Sequence, residues 1–370
     1  MPPTMRLHGS PSTRGKQATS RYVRTHRGEV EPRGPPKATG GADTPSSEAS
    51  STAPGGSQLA CQKMRDQAES LCSDGRFDQA LPIYKQTVLA FEQALASGEF
   101  KPEPSAFMEV FRAKTSLAAL YKRLNRYEDA EQVYKSALAE SEQVFGEGHP
   151  CTMTFCNNLA LLLSENARLE DAAPFYRRAL VGFEQGLGPK HPDTLAIVNN
   201  LAGLHSDLGE VDEAVPLYRR ALEGLEEALG PAHPSTLSSI NGLAVLFAEQ
   251  GQLEEAAPLF QKALDGFEQS LGAHHYETLA TLNNMASLLM DMGKYAEAEP
   301  LFRRALEGKE TVFGRLHDAT LSTVNGLCSV MRELGKGEEA DKLERKYEPI
   351  SARGPGTPRQ QPSTTGPAPA

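Results

Sequence analysis

The chain has no tryptophan, and aromatic residues make up only 6% of it, so a core built around many large rings is not expected. No stretch approaches 18 consecutive apolar residues, which excludes an ordinary transmembrane helix, and no membrane insertion is expected. The N-terminus also lacks the apolar central region of a secretory signal. The five cysteines, Cys61, Cys72, Cys151, Cys156 and Cys328, form no CxxC pair and no histidine-spaced ligand set. They read as small buried hydrophobes of a reducing compartment, not as a zinc or disulfide framework. Positive charge is scarce in the body of the chain: residues 59–350 carry 28 basic and 44 acidic side chains. That balance argues against nucleic acid as a partner, because binding a phosphate backbone needs cationic surface.

What the chain does have is repetition. His149, His191, His233, His275 and His317 recur at one constant interval. Thr152, Thr194, Thr236, Thr278 and Thr320 follow them at +3, and Asn157, Asn199, Asn241, Asn283 and Asn325 at +8. Gly209, Gly251, Gly293 and Gly335 continue the lattice, then Ala172, Ala214, Ala256, Ala298 and Ala340. From each histidine, apolar residues recur at +4, +7, +10, +11 and +14, as in Leu195, Val198, Leu201 and Ala202, with His205 interrupting the last column. This spacing predicts one face of an α-helix. Pro192 suits its first turn, and Gly209 suits a left-handed cap at its end.

The following segment "EVDEAVPLYRRALEGLEEALG" again steps by three and four, through Val211, Ala214, Leu217, Tyr218, Ala221 and Leu222. It predicts a second helix that accepts Pro216, as its counterparts accept Pro174, Pro258 and Pro300, with a slight bend. Weaker copies run upstream in "NRYEDAEQVYKSALAESEQVFG" and, shifted by eight residues, in "DGRFDQALPIYKQTVLAF". The expected fold is an all-α right-handed solenoid of about seven antiparallel helix pairs over residues 59–350. The clearest repeats are 149–188, 191–230, 233–272, 275–314 and 317–348, the last ending in the polar "EEADKLERKYE" as a capping helix.

Residues 1–58 and 351–370 are rich in Ser, Thr, Pro and Gly without apolar period, and both are expected to be disordered. Positions 1–28 hold six basic and no acidic side chains, a composition shared with organelle transit peptides. With no amphipathic helix in evidence, a plain basic arm on a cytoplasmic protein is the favoured reading, and organelle targeting is the alternative.

The columns Leu-Ala, Gly-x-Tyr/Leu-x-Glu-Ala and Tyr/Phe-Arg-Arg-Ala-Leu resemble those of tetratricopeptide repeats. Units of this length that open on His-Pro-x-Thr-Leu and carry Asn-Asn-Leu-Ala look like the kinesin light chain and nephrocystin-3-like type. The resemblance is fullest in "HPDTLAIVNNLAGLHSDLGEVDEAVPLYRRAL" (191–222) and "ETLATLNNMASLLMDMGKYAEAEPLFRRAL" (277–306). It implies a non-catalytic protein-binding scaffold whose groove takes a segment of a protein or peptide partner. A cargo adaptor of a microtubule motor is the alternative that it also implies. The heptad coiled coil that joins kinesin light chains to a motor heavy chain has no counterpart in residues 1–58.

Three columns invite a chemical reading. A histidine and an acid, as in His191 and Asp193, suggest catalysis or metal binding. Yet the +2 position is Cys151, Asp193, Ser235, Glu277 or Ala319, so the acid is not retained, and a helix-start role packed on the preceding unit is expected. No catalytic residue, cofactor or metal is expected. The +8 asparagines fall on the border of the face opposite the packed one, at about 110° from the apolar centre. The resemblance implies that Asn157, Asn199, Asn241, Asn283 and Asn325 bind peptide backbone in the groove. The competing reading has them bond within or between repeats.

At +16 stand Glu165, Asp207, Glu249, Asp291 and Glu333, about 80° farther round the helix. Kinesin light chains carry basic residues in that neighbourhood, so an acidic column points to a basic partner, unless it is only a solvated helix end. Arg-Arg pairs at 177–178, 219–220 and 303–304, with glutamates such as Glu184 and Glu226 seven residues on, predict an outer face of solvated ion pairs.

Overall fold

The structure is a computed structural model that describes residues 22, 56–73, 75–98 and 104–347. The expectations for the arm, the tail and the transit peptide therefore lie outside the described residues, apart from Tyr22 and the start of the first helix. Fourteen helices are described, and they form seven pairs. These are α1 (Gly56–Ser73) with α2 (Phe77–Ala96), α3 (Pro104–Arg123) with α4 (Tyr127–Phe145), and α5 (Pro150–Glu165) with α6 (Leu169–Gly186). Next come α7 (Pro192–Asp207) with α8 (Val211–Leu229), and α9 (Pro234–Glu249) with α10 (Leu253–Ser270). The last are α11 (Tyr276–Asp291) with α12 (Tyr295–Phe313), and α13 (Asp318–Glu333) with α14 (Gly337–Tyr347). Each helix packs on the next in sequence, which makes the molecule a helical solenoid stabilised by nearest neighbours.

The His-Pro-x-Thr opening is explained by what it bonds. In all five copies the histidine has extended backbone, and its Nδ1 accepts the N–H two residues on, at 3.1–3.3 Å. Histidine thus serves as the N-cap, a place usually held by Ser, Thr, Asp or Asn. The threonine hydroxyl donates back to the carbonyl of Gly146, Gly188, Gly230, Gly272 or Gly314 at 2.8–2.9 Å. Those glycines end the preceding helices with φ between +86° and +94°, a conformation that a side chain would strain. His149 and His317 also stack on Phe145 and Phe313 of the preceding helix, as a helix-start role predicts.

The poverty in aromatics has a structural counterpart. In five second helices a ring at one register, Tyr134, Tyr176, Tyr218, Phe260 or Phe302, is fully buried, and Tyr84 is its shifted upstream counterpart. Close approach within a pair depends on glycine. A Cβ at Gly182, Gly224, Gly266 or Gly308 would fall 2.3–2.6 Å from Met153, Leu195, Leu237 or Leu279 of the first helix. Pro174, Pro216, Pro258 and Pro300 sit inside second helices that run on past them.

The outer-face ion pairs are present, but they run between repeats. Arg178, Arg220 and Arg304 reach Glu142, Glu184 and Glu268 on the preceding second helix at 2.6 Å. Lys262–Glu226 at 3.8 Å and Lys346–Glu310 at 3.5 Å complete the ladder.

Candidate functional site

Successive first helices touch one another directly, α5 with α7, α7 with α9, α9 with α11 and α11 with α13. The side on which alternate helices come closest is the inner side of a curved stack, so the first helices line the concave face. Charges on it act on groups several repeats away. The surrounding protein pushes the Tyr276 phenol up to about 12 although its side chain is 36% exposed, and Glu165, which lies three repeats earlier, adds to the effect. In the same way burial raises Tyr127, helped by Glu165 and, from the far end of the stack, by Asp318.

The asparagine column is more deeply placed than helical geometry alone indicates. Asn157, Asn199, Asn241 and Asn283 are buried, and only Asn325, in the last pair, is exposed. The cause is the neighbouring first helix, which covers this border of the face. Asn200 Nδ2 donates to Asn157 Oδ1 at 3.0 Å, and Asn284 Nδ2 to Asn241 Oδ1 at 3.4 Å. Asn283 Oδ1 accepts from the Thr323 hydroxyl at 2.8 Å and from Lys309 Nζ at 3.4 Å. Most of the column therefore ties one repeat to the next. Asn199 Oδ1 and Asn241 Nδ2 remain buried without a hydrogen-bond partner. An unsatisfied buried amide atom costs about 1–3 kcal/mol.

The acidic column occupies one structural position. Glu165, Asp207, Glu249, Asp291 and Glu333 are each the last residue of their first helix. Asp207 is half-buried and the other four are exposed. Carboxylates here face the negative end of the helix dipole, an unfavourable place by a few tenths of a kcal/mol. Lys122, at the end of α3, lies 3.3 Å from Glu165. A second partner was not foreseen: the Tyr22 hydroxyl donates to Asp291 Oδ2 at 2.5 Å. Tyr22 is 7% exposed and its ring stacks on Phe260, so one residue of the arm expected to be disordered is packed against the repeats. Its signal in the sequence is faint: it is the one Phe, Trp or Tyr among residues 1–58, and it stands between Arg21 and Arg24.

The histidine and acid pair serves a helix start. His191 Nδ1 accepts the Asp193 N–H, and it lies 3.8 Å from Asp193 Oδ2. Glu277, at the same register, is buried against Ser238, whose hydroxyl donates to Glu277 Oε2 at 3.0 Å. Burial pushes its carboxyl up to about 7. Among the described residues no helix is long and apolar enough to cross a membrane, and no group of three or more His, Cys, Asp or Glu is placed to hold a metal.

The sequence model of the tetratricopeptide repeat family matches residues 109–185, 154–227, 193–269 and 277–352. No curated protein sequence matches the chain. Among solved structures, BtubC (BKLC) from P. vanneervenii is similar with a TM-score of 0.52 at 21% identity, over 65% of this chain and 99% of that one. A Rap protein complexed with Competence and Sporulation Factor gives 0.54 at 15% identity, over 78% and 76% of the two chains. NprR in complex with its cognate peptide NprX gives 0.50 at 18% identity, over 77% and 76%.

Proposed function

Because the chain belongs to the tetratricopeptide repeat family, with units of the kinesin light chain-like type, we propose that it is a non-catalytic scaffold that holds a basic protein segment against its concave face. The observation that carries this reading is the acid at the end of five successive first helices, an arrangement the helix dipole disfavours. A basic segment lying along the face meets these carboxylates one after another. Of the asparagine column, the exposed Asn325 offers its backbone both a donor and an acceptor, whereas Asn199 and Asn241 lie buried beneath the face. Asn157 and Asn283 are engaged inside the stack, Asn157 with Asn158 and Asn200, and Asn283 with Thr323 and Lys309. NprR shares the fold and is solved with a peptide, which supports a ligand that is a chain segment, not a metabolite.

The test is an array of immobilised peptides graded from acidic to basic, probed with the full chain at two salt concentrations. Salt-sensitive capture of basic peptides is expected, weakened about tenfold by replacing Glu249 and Asp291 together with Gln and Asn. Preference for acidic peptides would overturn the charge reading and favour motor-adaptor cargo recognition.

A further inference from the structure

Tyr22 reports a site that the repeat pattern does not predict. Its ring lies 6.1 Å from that of Phe260, centroid to centroid, at an interplanar angle of 15°. It packs in a cluster with Ala244, Val245, Ala248, Phe260 and Leu288. Its hydroxyl donates to Asp291. Apolar wall, parallel ring and carboxylate acceptor together match each part of a tyrosine side chain.

This step of the solenoid differs from its neighbours in ways that suit a ring. The buried aromatic of the second helix is Tyr176 or Tyr218 in the two preceding pairs, and Phe260 here removes the hydroxyl. One position before the acidic column the earlier pairs carry Ser164 and Ser206, and this one carries Ala248. The next pair puts the bulkier Met290 there. Among the described repeats, the α9–α10–α11 step alone combines a small apolar residue, a phenylalanine and an acid.

We propose that this seat is a receptor for an unmodified tyrosine side chain carried in a basic segment, and that the chain fills it with its own Tyr22. The carboxylate of Asp291 accepts a phenol proton but repels a phosphotyrosine, which brings close to two further negative charges. Arg21 and Arg24 make the sequence around Tyr22 basic, the charge that an acidic column favours. Competition between the arm and a groove partner follows only if the function proposed above holds. The seat itself does not depend on it.

The experiment uses the full chain and its Tyr22→Ala variant, with a labelled peptide of residues 15–30 in three forms: unmodified, phosphorylated on tyrosine, and with that tyrosine replaced by alanine. The unmodified peptide is expected to bind the variant at least tenfold more tightly than the parent chain, whose seat is filled. The other two peptides should bind the variant at least tenfold more weakly than the unmodified one. Adding Asp291→Asn to the variant should shrink the discrimination against phosphate, and thermal unfolding of each protein checks that it is folded. Equal binding to parent and variant overturns the occupation by Tyr22, and equal binding of the alanine peptide overturns the seat. Equal binding of the phosphopeptide overturns the role of Asp291. Capture of unrelated basic peptides on the array, together with failure here, would leave the scaffold standing and remove the tyrosine site.

Discussion

Ala167 turns the chain between α5 and α6 with φ at +56°, where Gly209, Gly251, Gly293 and Gly335 serve the later repeats. A β-carbon in this left-handed conformation costs about 1 kcal/mol. Ala167→Gly should therefore raise stability by about 0.5–1 kcal/mol, read as a shift of the denaturant midpoint at constant slope. Glu277 supplies a pH-dependent test. Its carboxyl is pushed from 4.5 to about 7 by burial, so the folded state holds a proton that the unfolded chain releases. Below 4.5 both states are protonated and the group is neutral in the balance. As pH rises toward 7 the folded state loses ground, and above it the full penalty remains. Glu277→Gln should flatten that decline and stabilise the protein above pH 7 by roughly 2 kcal/mol, measured by unfolding at a series of pH values.

At the scale of the element, helix starts are set by histidine, and this can be checked at one copy. His233 Nδ1 accepts the Ser235 N–H at 3.1 Å. His233→Ala should cost about 1 kcal/mol and His233→Asn much less, since asparagine caps as well. Unfolding curves of the two variants measure the difference. Acid should act on the equivalent contacts of His149 and His275, because a protonated imidazole has no acceptor at Nδ1. Burial holds His149 and His275 below the usual 6.5. Their contribution is thus complete above 6.5 and is lost as pH falls beneath it. Helix bounds were readable from the sequence because each signal is local: His before the helix, Pro in its first turn, Gly after it. The partners of surface charges were not. Arg220 and Glu226 share a helix, yet Arg220 bonds Glu184 of the preceding one, because neighbouring second helices lie within reach of a guanidinium.

The whole molecule is held together by contacts between helices adjacent in sequence, with a few between alternate first helices. Removing the last pair, residues 317–370, should lower the unfolding midpoint and leave the remaining pairs helical, as followed by circular dichroism during denaturation. Collapse of the entire chain on that deletion would contradict nearest-neighbour stabilisation. At this scale lie also the features that no single repeat discloses: the electrostatic influence of Glu165 on Tyr276 across three repeats, and the position of Tyr22 beside Asp291.

Repeat length, the number of pairs, the core register and the acidic column were all legible in the bare chain, because its period writes each of them many times over. Which way the asparagines face in the stack was not. Helical angle places Asn241 at the border of a single helix, and only the approach of the next first helix turns that border into a buried contact with Asn284. Nor does the chain alone join Tyr22 to Phe260, since helices α1 to α9 lie between them in the sequence. An apolar cluster and one carboxylate, drawn from three helices, hold the two rings together. Periodic local signals fix elements; contacts between distant residues depend on how the elements stack.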